Sequence, residues 1–223
     1  MMWQVLGFSS GLEQGVALFV AFVVAVVLHE VAHGYAALRF GDPTAYYAGR
    51  LTLNPIKHVD LWGTIIIPVL LYVSQVGVIF GWAKPVPVNY YNLRAGRWGP
   101  AMVALAGPAT NFALLVVAAL AARMSPVATQ LPAFFVTVAI INGVLMFFNL
   151  IPLPPLDGSK ILYLFLENRP DVIAWLERYS FYMLIGVLVL LPGVITQLAF
   201  VPALNLTSAF SGLSAFDILG VLR

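Results

Sequence analysis

Apolar runs long enough to cross a bilayer as helices, roughly 20 residues each, recur along the chain at about 16–38, 98–122, 133–150 and 181–201. A further apolar block at about 61–82 lies between two polar stretches, Arg39–Asp60 and Ala83–Arg97. Both stretches are basic, with Arg39, Arg50 and Lys57 in the first and Lys84, Arg94 and Arg97 in the second. Positive charge collects on the cytoplasmic side of membrane proteins, so the block between them is expected to enter the membrane and return on one side. Pro68, Ser74, Gln75 and Gly77 are its candidate bends, and a plain extra span is the competing arrangement. Arg123, the only charge between the next two spans, fits an external loop, and Lys160, Arg169 and Arg178 return to the cytoplasmic side.

The remaining segments read differently. Pro202–Arg223 mixes Asn205, Thr207, Ser208, Ser211, Ser214 and Asp217 among apolar residues, which predicts an interfacial tail. Gly81–Asn89 alternates around Pro85 and Pro87, which suits an edge strand near the membrane or a rigid connector; as a strand it could pair with an unwound substrate. The expected fold class is therefore an all-α polytopic membrane protein. It has about four transmembrane helices, a re-entrant segment and short membrane-associated β-strands, in a single domain over 1–223.

Composition sharpens the class. Of 223 residues, 61% are hydrophobic and 9% charged, with a mean hydropathy of +0.95, whereas soluble domains carry about 25% charged residues. A net charge of +2, scattered along the chain, excludes a nucleic-acid partner and leaves the lipid bilayer as the surroundings. The first 15 residues lack a basic start, so the first apolar run reads as a retained span rather than a cleaved leader. Cysteine is absent, so metal ligands must come from His, Asp and Glu.

Three histidines are present, and two of them, His29 and His33, flank Glu30 in the first span. Residues four apart share a helix face, so both imidazoles point the same way at a spacing that suits one zinc ion. Glu30, beside them, is placed to take a proton from a water activated by the metal. Burying these groups in an apolar span without a metal would be costly. A catalytic zinc site needs a third protein ligand, and Asp157 is the only remaining acid at similar depth. It follows a span in Ile151-Pro152-Leu153-Pro154-Pro155-Leu156-Asp157-Gly158, where the prolines stop the helix and can turn the acid back toward the histidines. One span separates the first helix from the one leading to Asp157, which delivers both to the cytoplasmic side. His58 reads as an interfacial residue outside the ligand set.

His29-Glu30-Val31-Ala32-His33 together with Asn149-Leu150-Ile151-Pro152-Leu153-Pro154-Pro155-Leu156-Asp157-Gly158 resembles the site-2 protease family of intramembrane zinc metalloproteases. Ala106-Gly107-Pro108-Ala109-Thr110-Asn111 extends the resemblance, which implies one bound zinc per chain. It also implies His29, His33 and Asp157 as ligands, Glu30 as the catalytic acid–base, and Asn149 and Asn111 as groups that hold substrate. Implied too are the compact prokaryotic branch without PDZ or CBS domains, a prokaryotic inner-membrane location with the site toward the cytoplasm, and membrane-tethered protein substrates cut in or near their transmembrane segments. A zinc-binding transporter or receptor without hydrolysis is the alternative, and it leaves Glu30 without a task.

Overall fold

The computed structural model describes residues 11–74, 81–126 and 129–222. Its longer helices are α1 (Gly11–Arg39), α2 (Ile67–Val73), α3 (Gly99–Met124), α4 (Leu131–Asn149), α5 (Gly158–Phe165), α6 (Pro170–Leu190), α7 (Pro192–Ser211) and α8 (Ala215–Val221). Among the described residues, five helical stretches are long and apolar enough to cross a membrane: Leu18–Arg39, Gly96–Met124, Leu131–Asn149, Pro170–Leu190 and Pro192–Ser211. The chain is an integral membrane protein.

Helices α1, α3, α4 and α7 form the core because their facing positions are small. Ala118, Ala119 and Ala122 of α3 meet Ala133, Val136 and Ala139 of α4, all buried. Small side chains let helix backbones approach where lipid supplies no hydrophobic drive between helices. Gly143 of α4 carries this furthest: an added Cβ would lie 2.7 Å from Leu115 and 2.8 Å from the Cβ of Ala203. Large apolar residues such as Phe19, Phe22, Val24 and Val117 face outward, where the bilayer is their solvent.

Three sequence expectations need correction. No β-strand occurs among the described residues. The extended stretch 81–89 cannot complete a ladder, because Pro85 and Pro87 have no N–H to give and three of its other N–H groups are engaged elsewhere. The N–H of Lys84 goes to the His58 carbonyl (2.9 Å), that of Val86 to the Glu30 carboxylate (2.8 Å) and that of Asn89 to Asp42 (2.7 Å). Second, the expected span 181–201 is two helices. Pro192 begins a new one after Leu191 leaves helical geometry at φ −131°, ψ 49°, which raises the candidate spans from four to five.

Third, the tail does not lie apart from the bundle. Ala199, Ala203, Thr207 and Ser211 are buried at four-residue spacing, a stripe of small side chains along α7. Leu204 of α7 joins Ile218 and Val221 of α8 in a core cluster with Ala122, Val136 and Ile140. Gly212, at φ 75°, ends α7 in the left-handed conformation that glycine adopts freely, and a Ser214–Asp217 capping box starts α8.

The block that begins at Leu61 is pinned where it starts. Leu61–Ile66 is a π-helical turn that leads into α2. The Trp82 N–H donates to Gly63 O at 3.1 Å, and the Thr64 hydroxyl donates to Trp82 O at 2.9 Å. The indole of Trp82 lies directly over Gly63 and leaves no room there for a Cβ. The chain thus comes back at Trp82 to the place it left. Of the expected bends, Gln75 and Gly77 lie outside the described residues.

Candidate metal centre

His29 and His33 sit one turn apart on α1, and both are buried, at 5% and 8% exposure. Each ring is fixed through Nδ1. His29 Nδ1 donates to Asn111 Oδ1 on α3 (2.5 Å), and His33 Nδ1 donates to the Val103 carbonyl, also on α3 (2.8 Å). With Nδ1 spent on these oxygens, both rings turn Nε2 inward, and the two Nε2 atoms lie 3.0 Å apart. Asp157 completes the group, its Oδ2 3.1 Å from His29 Nε2 and 3.3 Å from His33 Nε2.

Three atoms able to ligate a metal therefore converge on one point. Asp157 Oδ2 is buried and has no hydrogen-bond partner. Such an arrangement is costly unless a cation fills it. Bonds of about 2.0–2.1 Å to a tetrahedral zinc place neighbouring ligand atoms roughly 3.3 Å apart, close to the separations found here. His29, His33 and Asp157 form the only such cluster of His and acidic groups among the described residues. The donor set, its spacing and the orphaned carboxylate oxygen all fit zinc.

The backbone that delivers Asp157 has little freedom. α4 ends at Asn149, and α5 starts immediately after Asp157. Gly158 lies against the carbonyls of Leu150 and Ile151, so closely that any Cβ would overlap them. The return of the chain over the end of α4 is what turns the carboxylate toward α1.

Glu30 is half-buried beside the cluster, with its Oε2 held by the Val86 N–H. Asn111 is fully buried, and its amide serves His29 on one side and the Ala25 carbonyl (3.3 Å) and Asn142 on the other. It touches the histidine rather than open space. Asn149 is half-buried, and its amide donates to Leu145 O within its own helix (3.0 Å). His58 is buried away from the cluster, with its Nε2 on the Thr52 carbonyl (2.9 Å).

Two contributors escape a reading by residue type. One is the Val103 carbonyl, a main-chain group with no sequence signature. The other is Gly107, where an added Cβ would lie 2.5 Å from His33 Nε2 and 2.6 Å from His29 Nε2. A glycine preceding Pro108 inside an apolar helix is the signal that could have revealed this close approach.

Outside the site, the carboxylate of Asp42 is fully buried. Its carboxylate accepts from the N–H and hydroxyl of Thr44, the N–H of Asn89 and the amide of Asn92. Burial alone would raise its pKa, but these donors outweigh it and the net shift is downward.

The family model described as Peptidase family M50 matches residues 122–192. The chain is 39% identical over 197 residues to "Putative zinc metalloprotease YwhC" of Bacillus subtilis (strain 168), covering 84% of this chain and 85% of that one. It is 29% identical over 177 residues to "Putative zinc metalloprotease Rip2" of Mycobacterium tuberculosis (strain ATCC 25618 / H37Rv), covering 78% of this chain and 66% of that one. It is 24% identical over 152 residues to "Zinc metalloprotease MJ0392" of Methanocaldococcus jannaschii, covering 68% of this chain and 35% of that one. No solved structure matches the chain. None of these relatives is named as a transporter or a receptor. The extent and identity of the first match, together with the family model, show that the chain belongs to peptidase family M50, the site-2 protease family of intramembrane zinc metalloproteases.

Proposed function

We propose that His29, His33 and Asp157 hold the zinc of this metalloprotease and that Glu30 is its catalytic acid–base. The observation that carries this reading is the convergence of two inward-facing Nε2 atoms and one orphaned carboxylate oxygen beside a second, differently held carboxylate. Zinc bound there supplies Lewis-acid polarisation of the scissile carbonyl and acidifies a water. Asp157 and the two rings are fixed by the Gly158 turn, Val103 and Asn111, so the ligand set is organised in advance. Glu30 Oε2 is occupied by the Val86 N–H, which leaves Oε1 to take a proton from the attacking water and pass it to the leaving amine.

The substrates are peptide bonds in or near transmembrane segments of membrane-tethered proteins. His29 lies 10 residues before the end of α1 at Arg39, so the site sits on the order of 15 Å below that end of the helix. The basic residues Arg39, Arg50, Lys57, Lys84, Arg94 and Arg97 gather at this end, which supports a cytoplasmic orientation in a prokaryotic inner membrane. The contact of Trp82 with Gly63 supports a re-entrant path for the block between them, since the two ends of a full span are about 30 Å apart. Asn149, at the end of α4 just before the Asp157 turn, is the side chain proposed to bind the substrate backbone.

The test is a paired measurement on purified wild type and Glu30→Gln. Both are expected to hold one zinc per chain, and only the wild type is expected to cleave transmembrane peptides. Undiminished cleavage by Glu30→Gln, with contaminating proteases excluded, would remove Glu30 from the mechanism.

A further inference from the structure

Asn142 stands one step behind Asn111, fully buried in the middle of α4. Its Nδ2 donates to the Val138 carbonyl at 2.8 Å, and its Oδ1 accepts from Asn111 Nδ2, also at 2.8 Å. We infer that Asn142 is a positioning residue that fixes, through Asn111, which nitrogen of His29 faces the metal. This rests on the reading of His29 as a zinc ligand.

The argument turns on polarity. An asparagine amide fits a site either way round, so its neighbours decide which end points where. The Val138 carbonyl can only accept, which commits Asn142 Nδ2 to it and turns Asn142 Oδ1 toward α3. That oxygen and the Ala25 carbonyl, a second pure acceptor, require Asn111 Nδ2 on their side. Asn111 Oδ1 is then left for His29, whose Nδ1 must carry the proton. Nε2 consequently keeps its lone pair toward His33 and Asp157. One main-chain carbonyl of α4 is thus read across three helices as a choice of tautomer. A ligating imidazole usually has its far N–H held in this manner, and loss of such a partner lowers metal affinity by about 10–100-fold. Without Asn142 the Asn111 amide is oriented only by the longer bond to Ala25, and its hold on the His29 tautomer weakens.

The experiment measures zinc affinity by competition with a chromophoric chelator, together with the visible spectrum of the cobalt-substituted protein. Wild type is compared with Asn142→Leu, Asn111→Asp and Thr137→Val. Asn142→Leu is near-isosteric, and it is expected to bind zinc about 10–100-fold more weakly and to alter the cobalt spectrum. Thr137→Val removes another buried polar group from α4, one that bonds only Ala133 O, and is expected to change neither. Asn111→Asp keeps the inference testable even if Asn142→Leu fails to fold. A carboxylate is an excellent partner for a zinc-bound histidine, but here it would face the oxygen of Asn142, so weaker zinc binding is expected. Wild-type zinc affinity in Asn142→Leu, or in Asn111→Asp, would overturn the inference. A wild type that binds no zinc at this cluster would overturn the ligand assignment itself and the inference with it.

Discussion

Gly107→Ala is the smallest change expected to disable this protein. The new methyl group would sit 2.5 Å from His29 Cε1 and His33 Nε2 and 2.6 Å from His29 Nε2. Ordinary contact between such atoms is about 3.5 Å, so the rings or α3 must yield by roughly 1 Å. Zinc sites tolerate only about 0.2 Å in their bond lengths. If the helices yield, the overpacking costs about 1–3 kcal/mol of stability, against a helix-propensity gain of up to about 1 kcal/mol for alanine over glycine. If the rings yield, the ligand set is lost. Because both rings are pinned at Nδ1 to the same helix that carries Gly107, the displacement falls mainly on Nε2. The expected result is a folded protein with at least tenfold weaker zinc binding and cleavage reduced in proportion. Zinc content after dialysis against a chelator, peptide cleavage and thermal unfolding read the three quantities. Gly186→Ala, in α6 with nothing within 4 Å of the new methyl, is the matched control and should leave zinc binding and cleavage unchanged. Full zinc and full cleavage in Gly107→Ala would refute the close packing of α1 on α3 that places the ligands.

Two further outcomes follow from the convergent ligand atoms and the buried Asp42. Removing zinc with a chelator should lower the unfolding temperature reversibly, since a ligand present at a thousandfold its dissociation constant stabilises by about 4 kcal/mol; re-addition restores it, and an unchanged temperature would contradict the fit of this cluster to a metal. Asp42 has a folded-state pKa below its unfolded value, so its contribution is present above about pH 4 and is lost as the pH falls through the lowered folded value. Asp42→Asn should therefore destabilise the neutral protein by about 1–3 kcal/mol and flatten the acid limb of the wild-type stability curve, read as unfolding temperature against pH in detergent.

The convergence of the histidine pair with Asp157 was legible because ionisable side chains in an apolar chain are rare, and the four-residue spacing and the proline-broken loop each carry a geometric meaning. The tail was misread because Thr207 and Ser211 count as polar on a hydropathy scale, while inside a membrane bundle they are small packing residues at four-residue spacing. The break at Pro192 was visible as a residue, but the surrounding run of Leu and Val masked it. The strand expectation failed because alternation says nothing about where the N–H groups of Lys84, Val86 and Asn89 find acceptors. Least legible was the role of Asn111: its bond to His29 joins residues 82 positions apart, and no local pattern encodes a contact between two helices.

The main-chain bond from Val86 to Glu30 has a genetic consequence. No side-chain change at position 86 deletes it, save proline, so point mutations there act only through packing. Insertions and deletions are another matter. Val86 lies between Pro85 and Pro87, and a slip of one residue in either direction sets an imino nitrogen opposite the carboxylate. The two prolines make the alignment of this stretch with α1 an all-or-none property, so a frame-preserving single-residue insertion that slides the stretch past α1 should behave as a null allele rather than a weakened one.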